Sequence, residues 1–262
     1  MILAGDIGET EEQMELALSA FARRFARVLW VPGNHELWTT PSKLGGDLRG
    51  EAKYRRLVSL CRSYGVLTPE DAYPVWNGPG GPCRIAPLFL LYDYSFRPDD
   101  VPFEGALAWA EESNIVCTDE YMLRPEPYAS KQAWCAARVE ETQARLERES
   151  DLPLVIVNHF ALHESLIRFE HIPRFSLWCG TRRTADWHTR FPVKAVVYGH
   201  LHMRARDYID GVRFEEVSLG YPRDWEQALG MDAYLREILP GPPPGDMVSE
   251  RILKKEWTEE EA

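Results

Sequence analysis

The sequence predicts an α/β fold formed by one large domain. Four apolar runs each end in a short polar motif: Gly5-Asp6, Gly33-Asn34-His35-Glu36, Asn158-His159 and Gly199-His200-Leu201-His202. Segments with apolar residues at helical spacing lie between the runs, an alternation that favours a sheet with parallel strands. A chain of 262 residues is long enough to bury a full core. Side chains that follow such strands meet at one edge of the sheet, so we expect a functional site there.

The first part of the chain predicts a strand, a helix and a second strand. The sequence Thr10-Glu11-Glu12-Gln13 has the pattern of a capping box, and apolar residues then recur at helical spacing from Met14 onward. The apolar runs at 2–4 and 28–31 read as buried strands on either side of this helix. Together they predict a βαβ unit, and a further helix is expected at 51–64.

The middle of the chain contains one clear turn, one strand and one long helix. The Asn-Gly-Pro-Gly-Gly-Pro sequence at 77–82 predicts a turn before an apolar strand at 85–91. Residues 92–127 are rich in aromatic, proline and acidic residues without periodicity, so we expect an irregular excursion over the sheet edge or the site. Ser130 is expected to cap a charged helix that continues to about Glu149.

The last part of the chain predicts the remaining strands and the end of the domain. The apolar runs at 154–157 and 195–198 read as buried strands, and Asp-Gly at 210–211 predicts a hairpin with a type I′ turn. A Pro/Gly-rich segment starts at residue 240 and is followed by charged residues. We therefore expect a domain at 1–239 and a mobile tail at 240–262.

Composition excludes several classes of protein. The net charge of −11 argues against a duplex nucleic-acid binder, although metal ions can supply local positive charge for a small phosphorylated substrate. The five cysteines are odd in number, scattered and never in a C-x-x-C pair, so they predict neither a disulfide framework nor a zinc ribbon. This cysteine usage favours the cytoplasm. The sequence contains no stretch of about 18 apolar residues, so we expect no membrane span.

The polar motifs contain the donor types of a metal site. Asp6 offers a carboxylate that can bridge two cations, Asn34 an amide oxygen and His159 an imidazole. His200 and His202 are two residues apart, which on an extended strand end places both rings on one side with Cα atoms roughly 7 Å apart. That spacing suits two ions about 3.5 to 4 Å apart. The mixed N/O ligands favour Mn, Fe, Zn or Ni. The motifs contain no cysteine, which argues against a structural zinc site and favours an open catalytic one.

His35 directly follows Asn34, so it would lie beside the metals without necessarily binding them. That position suits a general acid that protonates a leaving oxygen, with Glu36 as the group that orients it. Each motif alone has a structural alternative, because Gly5-Asp6 is commonly a turn and Asn158-His159 can be a capped strand end. The combination of motifs in this order favours the functional interpretation.

Two further groups of residues have open roles. Arg182 and Arg183 are candidates for gripping a phosphate, with simple solvent exposure as the alternative. Tyr92, Tyr94 and Phe96 are expected to pack at the sheet edge, with a platform for an organic group as the alternative. Neither group decides the function.

Taken together, the motifs resemble those of the calcineurin-like metallophosphoesterase superfamily. Its pattern is D-x-H, G-D, G-N-H-[DE], a strand-end His and G-H-x-H, and four of these five blocks are present between Asp6 and about Tyr221. The resemblance implies a four-layer α/β/β/α sandwich with two divalent metal ions at the strand ends. It also implies hydrolysis of a phosphomonoester or phosphodiester by a metal-bound hydroxide.

The resemblance also implies a role for each motif residue. Asp6 would bridge the two metals, while Asn34, His159 and His200 would complete one metal site. His202 would serve the other site. His35 would be the acid or would stabilise the transition state.

One family block is absent, because no D-x-H sequence precedes Asp6 and the first strand is missing with it. Three explanations remain open: a start codon assigned too late, a true truncation, or replacement of the lost ligands by residues elsewhere. The first is favoured, because an opening at Met1 would place a charged amino terminus inside a buried strand.

The leading hypothesis is a metal-dependent phosphoesterase that acts on a small-molecule phosphoester. The alternative is an N-terminally truncated, catalytically dead module that binds one metal and a phosphorylated ligand or a protein partner. The sequence contains no G-x-S-x-G, H-E-x-x-H or phosphate-loop motif, which argues against other hydrolases.

Overall fold

The computed structural model describes residues 1–39, 48–221, 225–242 and 248–251. Within these residues, the strands are β1 (Ile2–Leu3), β2 (Leu29–Trp30), β3 (Val75–Trp76), β4 (Cys83–Pro87), β5 (Leu154–Val157), β6 (Val193–Tyr198), β7 (Ala205–Ile209), β8 (Val212–Glu216) and β9 (Glu250–Arg251). The α-helices are α1 (Glu11–Arg24), α2 (Asn34–Leu37), α3 (Gly50–Ser63), α4 (Ala106–Glu111), α5 (Asp119–Met122), α6 (Lys131–Glu149) and α7 (Trp187–Arg190). Short 3₁₀ helices occupy Phe103–Gly105, Glu164–Leu166, Pro173–Trp178, Arg182–Thr184, Gln227–Leu229 and Met231–Tyr234.

The first elements form the βαβ unit that the sequence predicts. The Thr10 hydroxyl accepts a hydrogen bond from the Gln13 backbone N–H, and the Gln13 side chain accepts one from the Thr10 N–H, which completes the capping box of α1. Met14 and Leu18 bury the inner face of that helix. Strands β1 and β2 then pair in parallel, so their polar motifs emerge side by side.

A second sheet holds the other strands in the order β3-β4-β5-β6-β8-β7-β9. Its central strands β4, β5, β6 and β8 run parallel to one another, so their carboxyl ends lie at one edge. Strands β7 and β8 form the predicted hairpin, with φ of 50° at Asp210 and 79° at Gly211.

Two groups of buried apolar side chains hold the layers together. The larger combines helix residues such as Leu18, Tyr54 and Trp134 with strand residues such as Leu3 and Ile156. A smaller group joins the two sheets directly, with Leu29, Val31, Cys83, Ile85, Val155, Val157 and Val197 in contact. This arrangement of helices and two packed sheets confirms the α/β fold class.

The strand expected at 85–91 is shorter than its apolar run. Strand β4 ends at Pro87, after which the Leu88 N–H still bonds to Val157 O but the Leu90 N–H turns to the Asn158 side chain. The run remains apolar beyond the strand because Leu88 to Leu91 stay fully buried. The buried segment is therefore longer than the regular strand.

The segment 92–127 is more ordered than the sequence predicts, since it contains α4, α5 and a 3₁₀ helix. Tyr92, Tyr94 and Phe96 belong to the main core rather than to a platform for a ligand. Their rings pack against other core aromatics, with Tyr92 5.4 Å from Phe160 between ring centroids.

The boundary at residue 239 stays a prediction. Within the expected tail, Glu250–Arg251 form β9 and pair with β7, while residues 243–247 and 252–262 lie outside the described residues. In the part of the chain that the structure describes, no helix has the length and apolarity needed to cross a membrane.

Candidate active site

The sequence motifs converge where the two sheets meet. Asp6 follows β1, Asn34 opens α2 after β2, His159 follows β5 and His200 follows β6. The candidate ligand atoms of Asp6, His159 and His200 all lie within 4.8 Å of one another. The Oδ1 atom of Asn34 lies 3.2 Å from Nε2 of His159, so the amide oxygen faces the same point.

The backbone is unusual at several of these positions. Asp6, His200 and His202 have φ angles of 55°, 71° and 53°, in the left-handed region that non-glycine residues adopt rarely. Two glycines allow the strand ends to approach. A Cβ atom on Gly5 would lie 2.5 Å from Nδ1 of His159, and one on Gly33 would lie 2.7 Å from Cγ of Asp6.

His159 is buried and held in one orientation. Its Nδ1 lies 2.8 Å from the Ala4 carbonyl oxygen, which can only accept, so Nδ1 carries the proton. Its Nε2 therefore faces the site, 3.2 Å from both Asp6 Oδ2 and Asn34 Oδ1. The Asn158 side chain supports this loop by accepting from the Leu90 N–H and donating to the Phe160 carbonyl.

The electrostatics of the buried group fit a cation. Burial alone would lower the pKa of His159, but the charge and hydrogen bond of Asp6 raise it to about 9. Burial alone would raise the pKa of Asp6, but the His159 charge lowers it well below its ordinary value. Burial and the His159 charge lower the pKa of His200 to about 3. The ionised Asp6 carboxylate thus favours a positive charge beside it, on His159 or on a bound cation, while the His200 imidazole is neutral.

His200 supplies the observation that tests whether a metal fits. Its Nε2 atom is buried and has no hydrogen-bond partner among the described residues. A buried polar atom without a partner is costly unless a ligand satisfies it. Together with Asp6, His159 and the Asn34 oxygen, this unpartnered nitrogen makes a mixed N/O donor set suited to a divalent transition metal.

Glu36 has a different role from the expected one. Its carboxylate accepts hydrogen bonds from the backbone N–H groups of Asp6, Ile7 and Gly33, each at 2.9 Å. It therefore holds the two motif loops together. Burial and the nearby charge of Asp6 raise the pKa of Glu36 to about 7. The expectation that Glu36 orients His35 is wrong.

His35 is oriented by Glu9 instead. Nδ1 of His35 lies 2.9 Å from Oε1 of Glu9, and its backbone N–H donates to Asp6 Oδ1. The Trp38 ring packs against the imidazole with centroids 3.8 Å apart. Sequence reasoning missed Glu9, although its place three residues after Asp6 in the same loop was an available signal.

His202 and Asp119 complete the surroundings of the site. His202 is exposed and does not belong to the cluster of ligand atoms formed by Asp6, His159 and His200. The centroid of its ring lies 4.7 Å from that of Tyr221. Asp119 is buried and its Oδ1 accepts hydrogen bonds from the side chains of Asn34 and Trp38. Nothing in the sequence around Asp119 pointed to this role.

The two arginines considered for phosphate binding are engaged in ion pairs. Arg182 bonds to Glu164 at 2.6 Å and to Asp99 at 2.5 Å. Arg183 lies 3.5 Å from Oδ2 of Asp93. These contacts favour a structural role for both.

Comparison with known proteins agrees with this geometry. The family model described as calcineurin-like phosphoesterase matches residues 1–204. The chain is 49% identical over 244 residues to the [acyl-carrier-protein] phosphodiesterase PptH of Mycobacterium tuberculosis, an alignment that covers 92% of this chain and 75% of that protein. The crystal structure of the phosphopantetheinyl hydrolase PptH from the same organism superposes with a TM-score of 0.87, covering 92% of this chain and 86% of that one. The chain therefore belongs to the calcineurin-like phosphoesterase family and is a metal-dependent phosphoesterase, a hydrolase.

Proposed function

We propose that this chain hydrolyses the phosphodiester that links phosphopantetheine to an acyl-carrier protein. The observation that supports this substrate is the 49% identity, over 92% of this chain, to PptH, which is named as a phosphodiesterase of that carrier and, in its crystal structure, as a phosphopantetheinyl hydrolase. The substrate would then be a protein-linked phosphoester instead of the small molecule that the sequence alone suggested.

We also propose the assignment of metal ligands. Asp6 would bridge two divalent cations, and Asn34, His159 and His200 would complete one site. The distances among these side chains and the buried, unpartnered Nε2 of His200 support that site. His202 would serve the second cation. The donor types suit Mn, Fe, Zn or Ni.

The cations, His35 and Glu36 would each have a different role in the proposed hydrolysis. When bound, divalent cations supply Lewis-acid charge that neutralises phosphoryl oxygens and lowers the pKa of a coordinated water. His35 would be the general acid. Because Glu9 holds its Nδ1, Nε2 is the atom that passes a proton to the leaving oxygen. Glu36 keeps the loops of Asp6 and His35 together through three backbone hydrogen bonds.

The decisive experiment is hydrolysis of a phosphopantetheinylated carrier protein. The carrier is incubated with the manganese-loaded chain, and its intact mass and any released phosphopantetheine are followed by mass spectrometry. We expect conversion of the carrier to the form without phosphopantetheine. His35→Ala should slow the reaction by about 10² to 10⁴, the usual contribution of a general acid. His171→Ala is the matched control, because His171 is exposed and lies outside the site.

Two results would count against the proposal. If the chain hydrolyses bis(p-nitrophenyl) phosphate but leaves the carrier protein intact, the substrate proposal is rejected while the phosphoesterase activity stands. If His35→Ala keeps the native rate, the role of His35 as acid is rejected.

Metal stoichiometry tests the two-cation assignment separately. Elemental analysis after manganese loading and desalting should give two ions per native chain and one for His202→Ala. A native chain that retains a single ion would refute the second site. The His171→Ala variant should match the native count.

A further inference from the structure

Asp119 lies beneath the candidate metal site, in the segment that the sequence left without a function. Its side chain is completely buried. The Oδ1 atom accepts a hydrogen bond from Nδ2 of Asn34 at 2.9 Å and another from Nε1 of Trp38 at 2.6 Å. One carboxylate oxygen therefore contacts both a candidate metal ligand and the ring that packs on His35.

The position of Asp119 is fixed by the surrounding chain. It opens α5, and its carbonyl oxygen accepts from Nζ of Lys131 in α6. The same Lys131 pairs with Glu120 at 2.8 Å, so the start of α5 is tied to α6. On the other side, Trp38 pairs with Leu123 in an antiparallel bridge. The carboxylate is thus held at a set distance from the loop that carries Asn34 and His35.

The direction of the hydrogen bond matters because an amide has two different ends. The amide oxygen of Asn34 can bind a cation, whereas its NH₂ group cannot. With Nδ2 donating to Asp119, Oδ1 faces His159 at 3.2 Å. A half-turn of the amide would exchange the two ends and bring NH₂ to the site.

We propose that Asp119 is a positioning residue that fixes the orientation of the Asn34 amide toward the metal and holds Trp38 against His35. The inference rests on the proposed role of Asn34 as a ligand. It concerns metal binding and is independent of the substrate.

The Asp119 carboxylate is costly to bury. The side chains of Asn34 and Trp38 donate to Oδ1, and the Tyr92 hydroxyl is a further donor to the carboxylate. Burying a carboxylate lowers stability unless such bonds compensate for the lost hydration. The two bonds that Oδ1 makes at the site offer the compensating benefit.

The test is the affinity of the metal-free protein for Mn²⁺, measured from free Mn²⁺ by electron paramagnetic resonance. Removal of groups that orient metal ligands typically weakens metal binding by about 10- to 100-fold, and we expect a rise of that size in Kd for Asp119→Ala. Asp119→Asn should bind nearly as tightly as the native chain. The Trp38 indole can only donate, so in this variant it keeps the oxygen of the introduced amide in the place of the native Oδ1.

A double variant tests the directional argument. In Trp38→Phe both oxygens at position 119 are still acceptors, so Asn34 keeps its orientation and Kd should change little. In Trp38→Phe combined with Asp119→Asn, nothing fixes which end of the new amide faces Asn34. We expect a rise in Kd close to that of Asp119→Ala. Asp119→Asn preserves the shape of the side chain at position 119, so this variant remains informative if Asp119→Ala fails to fold.

Control variants distinguish a general loss of stability, a failure of the Asn34 ligand assignment and a failure of the positioning role of Asp119. Asp71→Ala removes a carboxylate that bonds to Thr68 and Arg62, so it should lower thermal stability while Kd stays native. Asn34→Ala must weaken Mn²⁺ binding; if it does not, the ligand assignment fails. If Asn34→Ala weakens binding but the Asp119→Ala and double variants bind as the native chain does, the positioning role of Asp119 is overturned.

Discussion

Gly33→Ala tests how closely the loops of Asp6 and Asn34 must approach. Gly33 has φ of −90° and ψ of −179°, an extended conformation that alanine adopts without strain. The added Cβ would nevertheless lie 2.5 Å from the backbone nitrogen of Asp6 and 2.7 Å from its Cγ. Because non-bonded carbon atoms rest at about 3.5 to 4.0 Å, the Asp6 side chain must move by roughly 1 Å.

A displacement of that size has consequences for binding, rate and stability. Metal–ligand distances tolerate only about 0.2 Å, so we expect the Kd for Mn²⁺ to rise at least tenfold. A 1 Å misplacement in an active site can cost about 10²-fold, which is the loss expected in kcat/KM. Overpacking should also lower the free energy of unfolding by about 1 to 3 kcal/mol.

The assays are Mn²⁺ titration of the metal-free protein, hydrolysis of a phosphodiester and urea unfolding. Gly105→Ala is the matched control, because Gly105 has φ of −91° and an added Cβ would meet only Pro102, at 3.3 Å. A Gly33→Ala protein with native Kd and native kcat/KM would refute the reasoning, since Asp6 could then move without loss.

Three other outcomes follow from the structure. Glu9→Gln should lower kcat by roughly 10²-fold with little change in KM, because the partner that orients His35 is weakened; steady-state kinetics measure this. Burial alone would raise the pKa of Glu70, but Arg138 lowers it below its ordinary value. Its stabilising contribution is therefore present above the ordinary pKa of a glutamate and is lost as pH falls through the folded-state pKa. Glu70→Gln should lower the free energy of unfolding at neutral pH by roughly 1 to 3 kcal/mol and make its decline with acid shallower, as followed by urea unfolding. Removal of metal by a chelator should lower Tm, and Mn²⁺ at 100 times its Kd should restore about 2.7 kcal/mol of stability.

Two of these outcomes have a matched control variant. Glu15→Gln changes an exposed glutamate of α1 and should leave kcat unchanged. Glu141→Gln removes the exposed partner of the same Arg138 and should affect stability much less than Glu70→Gln does. Equal effects of the two substitutions would contradict the electrostatic argument. A Tm that does not respond to chelation would contradict metal binding to the folded state.

The positions of the candidate ligands could be predicted because each follows its own strand directly. The runs before Asp6, Asn34, His159 and His200 are apolar on both faces, and parallel strands bring their carboxyl ends to one edge. Local chemistry similarly predicted the start of α1 at Thr10, because a capping box involves residues only three apart.

The missed contacts depend on packing between distant segments. Asp119 lies 85 residues from Asn34, and no local pattern marks a carboxylate that will reach a strand end across the fold. Tyr92 is buried because the chain turns back over the core after Pro87, which its composition does not indicate. Glu36 appeared adjacent to His35 in sequence, but the short helix α2 directs its side chain away to the backbone of Asp6.

Fold stability and the proposed metal binding oppose each other at three positions of this protein. Asp6, His200 and His202 all have left-handed backbone conformations, each of which costs a non-glycine residue about 1 to 2 kcal/mol. Glycine would fit each position without that cost but would remove the side chain. Selection of variants for thermal stability alone would therefore favour loss of the proposed metal ligands, and any such screen of this chain should keep these three residues unchanged.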